Sequence, residues 1–289
     1  MKVTVGIVGY REWAYDIYYA LRYIDLANLT SFGVEFNWIT LSNNSNKKNA
    51  SFVINDPQDT RALLNYIRYK NYDIIIFAGW SWIVTNEILE ATNCLCIHPS
   101  DIFKFRGGSP IQNQMLRGID EAELTIFKMT EQLDWGPVLN CKNIRLDGYI
   151  PEIFDRIVDA SVVSIREIVT GYFSGINPCQ VQISGTPGEI FSRRKPNDGI
   201  IKSDLIKKYN FDYIDRLTRC LTGPYPRLRI EIPDANKRYF EVSSVMKLNQ
   251  KTMKLGKFSD EKRTRKGEIS KLFECADAYF IACGVYNDD

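Results

Sequence analysis

Two periods alternate along the first half of the chain. Short, nearly unbroken apolar runs cover residues 2–9, 34–41, 72–78 and 94–97. Runs of this length, closed off by polar residues, read as strands buried on both faces. Between them apolar residues recur every three or four positions. Ile17, Ala20, Leu21 and Ile24 mark one side of a helix over 14–24. Leu63, Leu64 and Ile67 do the same for a helix that starts at Pro57-Gln58-Asp59-Thr60 and ends near Lys70. Residues 84–92 predict a short helix with Thr85 as its N-cap. Strand and helix in this alternation predict a doubly wound, Rossmann-like α/β sheet. Right-handed crossovers would then bring successive strand ends to one rim.

The pattern continues and then changes. Ser109 and Pro110 suit a helix start, and Gly118 suits its stop. Residues 123–130 and 138–145 read as strands. A long helix is predicted over 151–173, with Ile153, Ile157, Ala160, Val163 and Ile168 on its buried side. The polar stretch 43–49 reads as a loop. Past Gly175 come a turn at Gly185-Thr186-Pro187-Gly188, a basic loop over 193–199 and a helix over 202–221. Short strands follow at 227–232, 238–245, 254–258, 269–274 and 278–282. They predict a small barrel or sandwich, and the expected fold class is a smaller helix-plus-β-barrel, OB-like domain after the Rossmann-like one. The expected division is a domain over 1–200 and a second over 201–289.

Composition narrows the function. The net charge of +2 offers no strong polyanion signal, and the basic run over 262–266 reads as a solvated loop, so no nucleic-acid partner is expected. The first apolar run is too short for a signal peptide, and no run is long enough to span a membrane. A cytoplasmic protein without a membrane partner is the expectation. Seven dispersed cysteines, an odd number, favour free thiols in a reducing compartment. Cys94 and Cys96 are too close for the usual zinc spacing, and with one histidine in the chain no metal site is expected.

That one histidine, His98, closes the apolar run 94–97. It is followed by Pro99-Ser100 and then by Arg106-Gly107-Gly108-Ser109-Pro110-Ile111-Gln112. Further on stands Leu133-Asp134-Trp135-Gly136-Pro137. A histidine at a strand end is often structural. Here a Gly-Gly turn, a polar helix start and an aspartate two residues before a glycine keep it company. An imidazole titrates near neutrality and suits proton transfer.

Residues 97–136 resemble the 10-formyltetrahydrofolate-dependent formyltransferases. That family carries Asn-x-His-Pro-Ser, then Arg-Gly-(Gly/Ala)-(Ser/Ala)-Pro-(Ile/Leu)-Gln, then Leu-Asp-x-Gly. The stretch Ala78-Gly79-Trp80-Ser81-Trp82-Ile83 is similar to the family's folate-binding loop. Arg193 to Gly199, Gly223-Pro224-Tyr225-Pro226, Gly267-Glu268-Ile269 and Ala282-Cys283-Gly284 extend the likeness into the second half. The resemblance implies 10-formyltetrahydrofolate as co-substrate and His98 and Asp134 as catalytic residues. Asp134 would orient His98 or take the proton of the attacking amine. Trp80, Trp82 and Ile83 would wall the pteridine pocket, although aromatic residues at a strand end are commonly core. Arg106, Gly107, Gly108, Leu133 and Gly136 would complete the cofactor side, with Arg106 either steadying its loop or meeting an anion.

The opening Gly9-Tyr10-Arg11-Glu12-Trp13-Ala14 is similar to the sugar N-formyltransferase branch. That branch implies a nucleotide-linked amino-deoxysugar as acceptor, in the synthesis of cell-surface glycan precursors. Tyr10, Arg11 and Trp13 are the candidates for binding it. A homodimer is compatible with the fold, though no pattern marks its interface. Two alternatives stay open: an enzyme resembling the methionyl-tRNA formyltransferases, and a catalytically impaired folate- or nucleotide-binding protein. One position departs from the family. Cys96 stands where the family has asparagine, and a thiol is a weak donor. Either a protonated His98 with a backbone N–H serves the developing oxyanion, or a water replaces the amide, or the reaction is altered.

Overall fold

The computed structural model describes residues 2–23, 33–173, 187–232, 238–248, 261–263 and 267–287. The chain divides into two compact units. One comprises residues 1–110, 121–145 and 154–191, and the other 111–120, 146–153 and 192–289.

In chain order the elements run β1 (Lys2–Val8), α1 (Glu12–Arg22), β2 (Gly33–Leu41), β3 (Phe52–Ile54), α2 (Thr60–Lys70), β4 (Ile74–Ala78), α3 (Asn86–Ala91), β5 (Asn93–His98), β6 (Phe105–Gly107), α4 (Pro110–Leu116), β7 (Glu121–Lys128), β8 (Val138–Arg145), α5 (Ile150–Phe173) and β9 (Glu189–Phe191). The first unit is built on a seven-stranded sheet in the order β3-β2-β1-β4-β5-β7-β8. Its strands form for the expected reason. All five residues of β4 are buried, and Val5, Ile7, Ile74 and Ile76 are sealed at 0–1 % exposure. Local chemistry fixes both ends of α2. Asp59 Oδ1 accepts the Arg61 and Ala62 amides at the start of α2, and Asn71 ends that helix in the left-handed region at φ 52°. Thr85 occupies the N-cap position of α3 but makes no side-chain hydrogen bond to its amides.

The sheet departs from the expected uniform rim in one respect. Strands β3, β2, β1, β4 and β5 are parallel, whereas β7 is antiparallel to β5 and β8 antiparallel to β7. A parallel return needs a crossover helix packed on the sheet. Most of α4, the helix between β5 and β7, belongs to the other unit.

The second unit contains β10 (Ile200–Ile201), α6 (Phe211–Cys220), β11 (Arg229–Glu231), β12 (Tyr239–Lys247), β13 (Glu261–Arg263), β14 (Ile269–Glu274) and β15 (Tyr279–Asn287). Among the described residues they form one sheet, β10-β11-β12-β15-β14-β13, antiparallel except where β10 meets β11. The helix expected over 202–221 is shorter. Asn210 Oδ1 accepts the Tyr213 amide, and Asp277 Oδ1 accepts that of Phe211, so α6 starts at Phe211 behind a single 3₁₀ turn at Ile206–Lys208. The strand expected at 254–258 lies outside the described residues. The architecture is thus a mixed α/β one, a Rossmann-like first unit followed by a strand-rich second, as the hydrophobic pattern predicts.

Candidate active site

Side chains alternate along a strand, so Cys94, Cys96 and His98 share one face of β5, and Leu95 and Ile97 the other. His98 is 6 % exposed, and its buried Nε2 has no hydrogen-bond partner. The turn after it is pinned. The Ser100 amide donates to the His98 carbonyl at 2.9 Å, Ser100 Oγ to the Phe105 carbonyl at 2.6 Å, and Thr125 Oγ1 to the Ser100 carbonyl at 2.8 Å.

Asp134 reaches this place by an indirect route. Because β7 runs against β5, the loop between β7 and β8 leaves the sheet beside Cys94, where the Met129 amide bonds the Cys94 carbonyl. His98 lies four residue steps farther along β5, about 13 Å away. The loop folds back over the His98 face of β5. Thr130 Oγ1 donates to the Trp135 carbonyl at 2.8 Å, and Trp135 meets Phe103 edge to face with centroids 5.3 Å apart. Gly136 permits the reversal: a Cβ there would overlap the Lys128 carbonyl oxygen. At the tip Asp134 holds φ 44°, a left-handed conformation that aspartate tolerates better than most residues. Its Oδ2 accepts the Gly107 amide at 2.7 Å and lies 3.9 Å from His98 Nδ1.

Arg106 braces the loop and is not a solvated surface charge. It is 5 % exposed. Nε donates to the Gly188 carbonyl and a terminal nitrogen to the Leu133 carbonyl, both at 3.1 Å, with Cζ 5.5 Å from the Trp135 ring. Gly107 has φ 89°, and a Cβ there would overlap the Phe191 carbonyl oxygen, which accepts the Gly108 amide. Strand β9 thus supports the site from about eighty residues downstream. The pattern of apolar positions gives no sign of it, because three residues carry no period. The glycine at 188, whose Cβ would overlap the Phe103 carbonyl oxygen, was the available signal.

Cys96 sits half-buried against Ile102, Phe127, Val138, Phe103 and Trp135. Burial first, and then the Asp134 carboxylate, push its thiol well above the ordinary value. It is a neutral thiol in an apolar wall. Asn93 stands at the far end of β5, bonded to the Asp73 carbonyl at 3.2 Å.

A second group forms where the order of the strands reverses, between β1 and β4. Tyr10 Oη and Ser81 Oγ are 2.7 Å apart. Tyr10 meets Trp82 at 5.0 Å and Trp80 at 6.4 Å, the two tryptophans are 4.9 Å apart, and Arg11 Cζ lies 4.6 Å from the Tyr10 ring. Ile83 is 83 % exposed and Leu133 51 %. Trp13 lies under the second group, beside Gly79. It is buried at 7 % exposure, 6.2 Å from Phe154 in the core. The structure therefore brings His98, Asp134, Cys96, Arg106, Gly107, Gly108, Leu133 and Gly136 together in one place, and Tyr10, Arg11, Trp80 and Trp82 in another. Among the described residues no group of three or more His, Cys, Asp or Glu could hold a metal ion, and no helix is long and apolar enough to cross a membrane.

The first constellation can hold and move a proton. A buried imidazole has one nitrogen near a carboxylate and the other without a partner, and the carboxylate is fixed by a backbone amide. Known proteins with similar sequence or fold carry related names. A methionyl-tRNA formyltransferase of Thermotoga maritima is 27 % identical over 168 residues, covering 57 % of this chain and 52 % of that protein. The chain thus matches about half the length of that relative. A sugar N-formyltransferase from Shewanella sp. FDAARGOS_354 superposes with a TM-score of 0.63 at 18 % identity, covering 84 % of this chain and 98 % of the other. HypX from Aquifex aeolicus, solved in complex with tetrahydrofolic acid, gives a TM-score of 0.63 at 12 % identity over 97 % of this chain and 43 % of that one. These structures share the fold. Residues 37–149, which supply His98, Asp134, Cys96 and their supporting turns, match the sequence profile of the formyl transferase family.

Proposed function

We propose that this chain is an N-formyltransferase that moves the formyl group of 10-formyltetrahydrofolate to the primary amine of a nucleotide-linked amino-deoxysugar. One observation carries the reading. Within the segment that matches the formyl transferase profile, a buried His98 with a partnerless Nε2 stands 3.9 Å from Asp134. The formyl donor supplies an acyl carbon open to attack by an amine. Attack builds negative charge on the formyl oxygen; collapse then breaks the bond from the formyl carbon to the donor nitrogen and releases tetrahydrofolate, so that one proton passes from the attacking amine to the departing nitrogen. His98 Nε2 offers a donor to that charge and a route for the proton. Asp134 faces the Nδ1 side at 3.9 Å. Cys96, neutral and walled in, gives shape and no nucleophile. The aromatic rim around Trp80 and Trp82 suits a flat heterocycle, as the folate donor requires.

The sugar acceptor draws support from the sugar N-formyltransferase neighbour and from the opening motif over 9–14. A second reading has its own observation. The net charge of the whole chain conceals an asymmetry: residues 192–289 hold 21 Lys and Arg against 14 Asp and Glu, whereas residues 1–191 hold 16 against 21. A basic carboxyl-terminal third suits a polyanion, and the sequence relative is named for methionyl-tRNA.

The test is a formyl-transfer assay on purified protein with 10-formyltetrahydrofolate. Acceptors are a panel of nucleotide-linked amino sugars and, in a parallel arm, methionyl-tRNA, with His98→Asn alongside. A mass gain of one formyl group on a sugar, lost in the variant, supports the first reading. Formylated methionyl-tRNA, with affinity falling steeply as salt rises, selects the second. Tetrahydrofolate binding without product in any arm removes both.

A further inference from the structure

The His98 Nε2 atom is closed to solvent and has no hydrogen-bond partner. On the same face of β5, two residues earlier, stands Cys96. The packing around that thiol is apolar. Ile102, Phe127 and Val138 are at most 3 % exposed, and Phe103 and Trp135 pack on the same cluster as Cys96. The polar groups nearby are already engaged. Arg106 is committed to the Gly188 and Leu133 carbonyls, Ser100 Oγ to the Phe105 carbonyl and Thr125 Oγ1 to the Ser100 carbonyl. Asp134 Oδ2 accepts the Gly107 amide. An ordered water needs about two to four polar partners. On the Cys96 side, among the described residues, it would find Nε2 alone, because a neutral thiol is a weak donor and a weak acceptor. An amide side chain at position 96 would add a carbonyl and an NH₂ group and could hold a water there.

A formyl group on a donor nitrogen has two fates. An amine that attacks its carbon receives the group. A water that attacks the same carbon breaks the same bond to the donor nitrogen and gives formate, tetrahydrofolate and one proton, so the group is lost. We infer that Cys96, with Phe103 and Trp135, forms a dry wall that keeps water from the formyl carbon and so sets the choice of nucleophile in favour of an amine. The wall has this meaning only if the site holds a formyl donor, so it rests on that part of the proposed function. It adds a role for the thiol that stands in place of the family's asparagine. It also leaves no ordered water to take over the missing amide, so the oxyanion falls to His98 and backbone N–H groups.

The test needs no acceptor. The whole protein is incubated with 10-formyltetrahydrofolate alone, and release of formate and tetrahydrofolate is followed against a blank without protein. The proteins are the wild type, Cys96→Ser, Cys96→Ala and Trp135→Ser, each checked for its unfolding temperature and, by calorimetry, for tetrahydrofolate binding. Cys96→Ser exchanges one atom and makes the wall polar, whereas Cys96→Ala leaves an apolar gap that stays dry. Wild type should release formate within about twofold of the blank, and Cys96→Ser about tenfold faster than wild type. Trp135→Ser should move in the same direction, and it carries the test if Cys96→Ser does not fold. A wild type that hydrolyses the donor readily would overturn the inference. So would folded Cys96→Ser and Trp135→Ser proteins that bind tetrahydrofolate and release formate no faster than wild type. A rise in Cys96→Ala equal to that in Cys96→Ser would trace the effect to lost volume and overturn it as well. Hydrolysis gained in Cys96→Ser, with a wild type that formylates no acceptor, leaves the wall standing and sinks the acceptor reading. A wild type that does not bind tetrahydrofolate sinks both.

Discussion

The Gly107 amide holds the Asp134 carboxylate at 2.7 Å, and the same oxygen faces His98 Nδ1 at 3.9 Å. One backbone N–H thereby aims a side chain carried by a loop that enters from the far end of β5. Asp134→Asn keeps an oxygen for Gly107 and removes the charge. Formyl transfer should fall about 100-fold or more, with the unfolding temperature within a few degrees of wild type. An Asp134→Asn enzyme that keeps turnover within about threefold of wild type would show that the charge does not act in the reaction.

Gly136 and Gly33 make a controlled pair. A Cβ at 136 would overlap the Lys128 carbonyl oxygen, whereas nothing lies within 4 Å of one at 33. Gly136→Ala should lose roughly 2–4 kcal/mol of stability in urea unfolding, and Gly33→Ala should stay within about 0.5 kcal/mol. Equal midpoints for the two variants would contradict the described loop.

Arg106 spans two carbonyls, Gly188 and Leu133, which a lysine's single ammonium does not reach together. Arg106→Lys should leave a buried carbonyl unmet and lower stability by about 1–3 kcal/mol. Because Leu133 precedes Asp134, turnover should fall with it. A variant with unchanged unfolding and unchanged turnover would remove Arg106 from this role.

The buried thiols give stability a pH dependence with a definite sign. Burial pushes Cys94 and Cys220 up to about 12, above their range in the unfolded chain. The folded state therefore keeps protons that the unfolded state releases. Stability from this source is complete below about pH 8 and is lost as pH rises toward 12. Urea unfolding at pH 7.5 and pH 10 should show the decline, and Cys94→Ala with Cys220→Ala should flatten it. An identical decline in the double variant would place its origin elsewhere.

Much of this was legible in the residues, and the exceptions have physical causes. β1, β4 and β5 are unbroken apolar runs because both of their faces are covered, so their pattern survives in sequence. The expected pairing of His98 with Asp134 came from the resemblance to the formyltransferases, and His98 Nδ1 lies 3.9 Å from Asp134 Oδ2. The supports do not announce themselves. β6 and β9 hold three residues each, fewer than two full alternations, and their stability comes from the partner strand. The burial of Trp13 was readable in principle, since it precedes Ile17 by four and Leu21 by eight and so belongs to the inner stripe of α1. The antiparallel course of β7 was not readable, because strand direction depends on where the intervening helix packs.

A chain with one imidazole in 289 residues carries its own reporter. Isotope labelling of histidine gives a magnetic-resonance spectrum with a single ring, already assigned, seated at the candidate reaction centre. The chemical shifts of its two nitrogens distinguish the tautomers and the doubly protonated form. The moment at which an added ligand reaches Nε2 can thus be followed in the unmodified protein, before any assay of turnover exists.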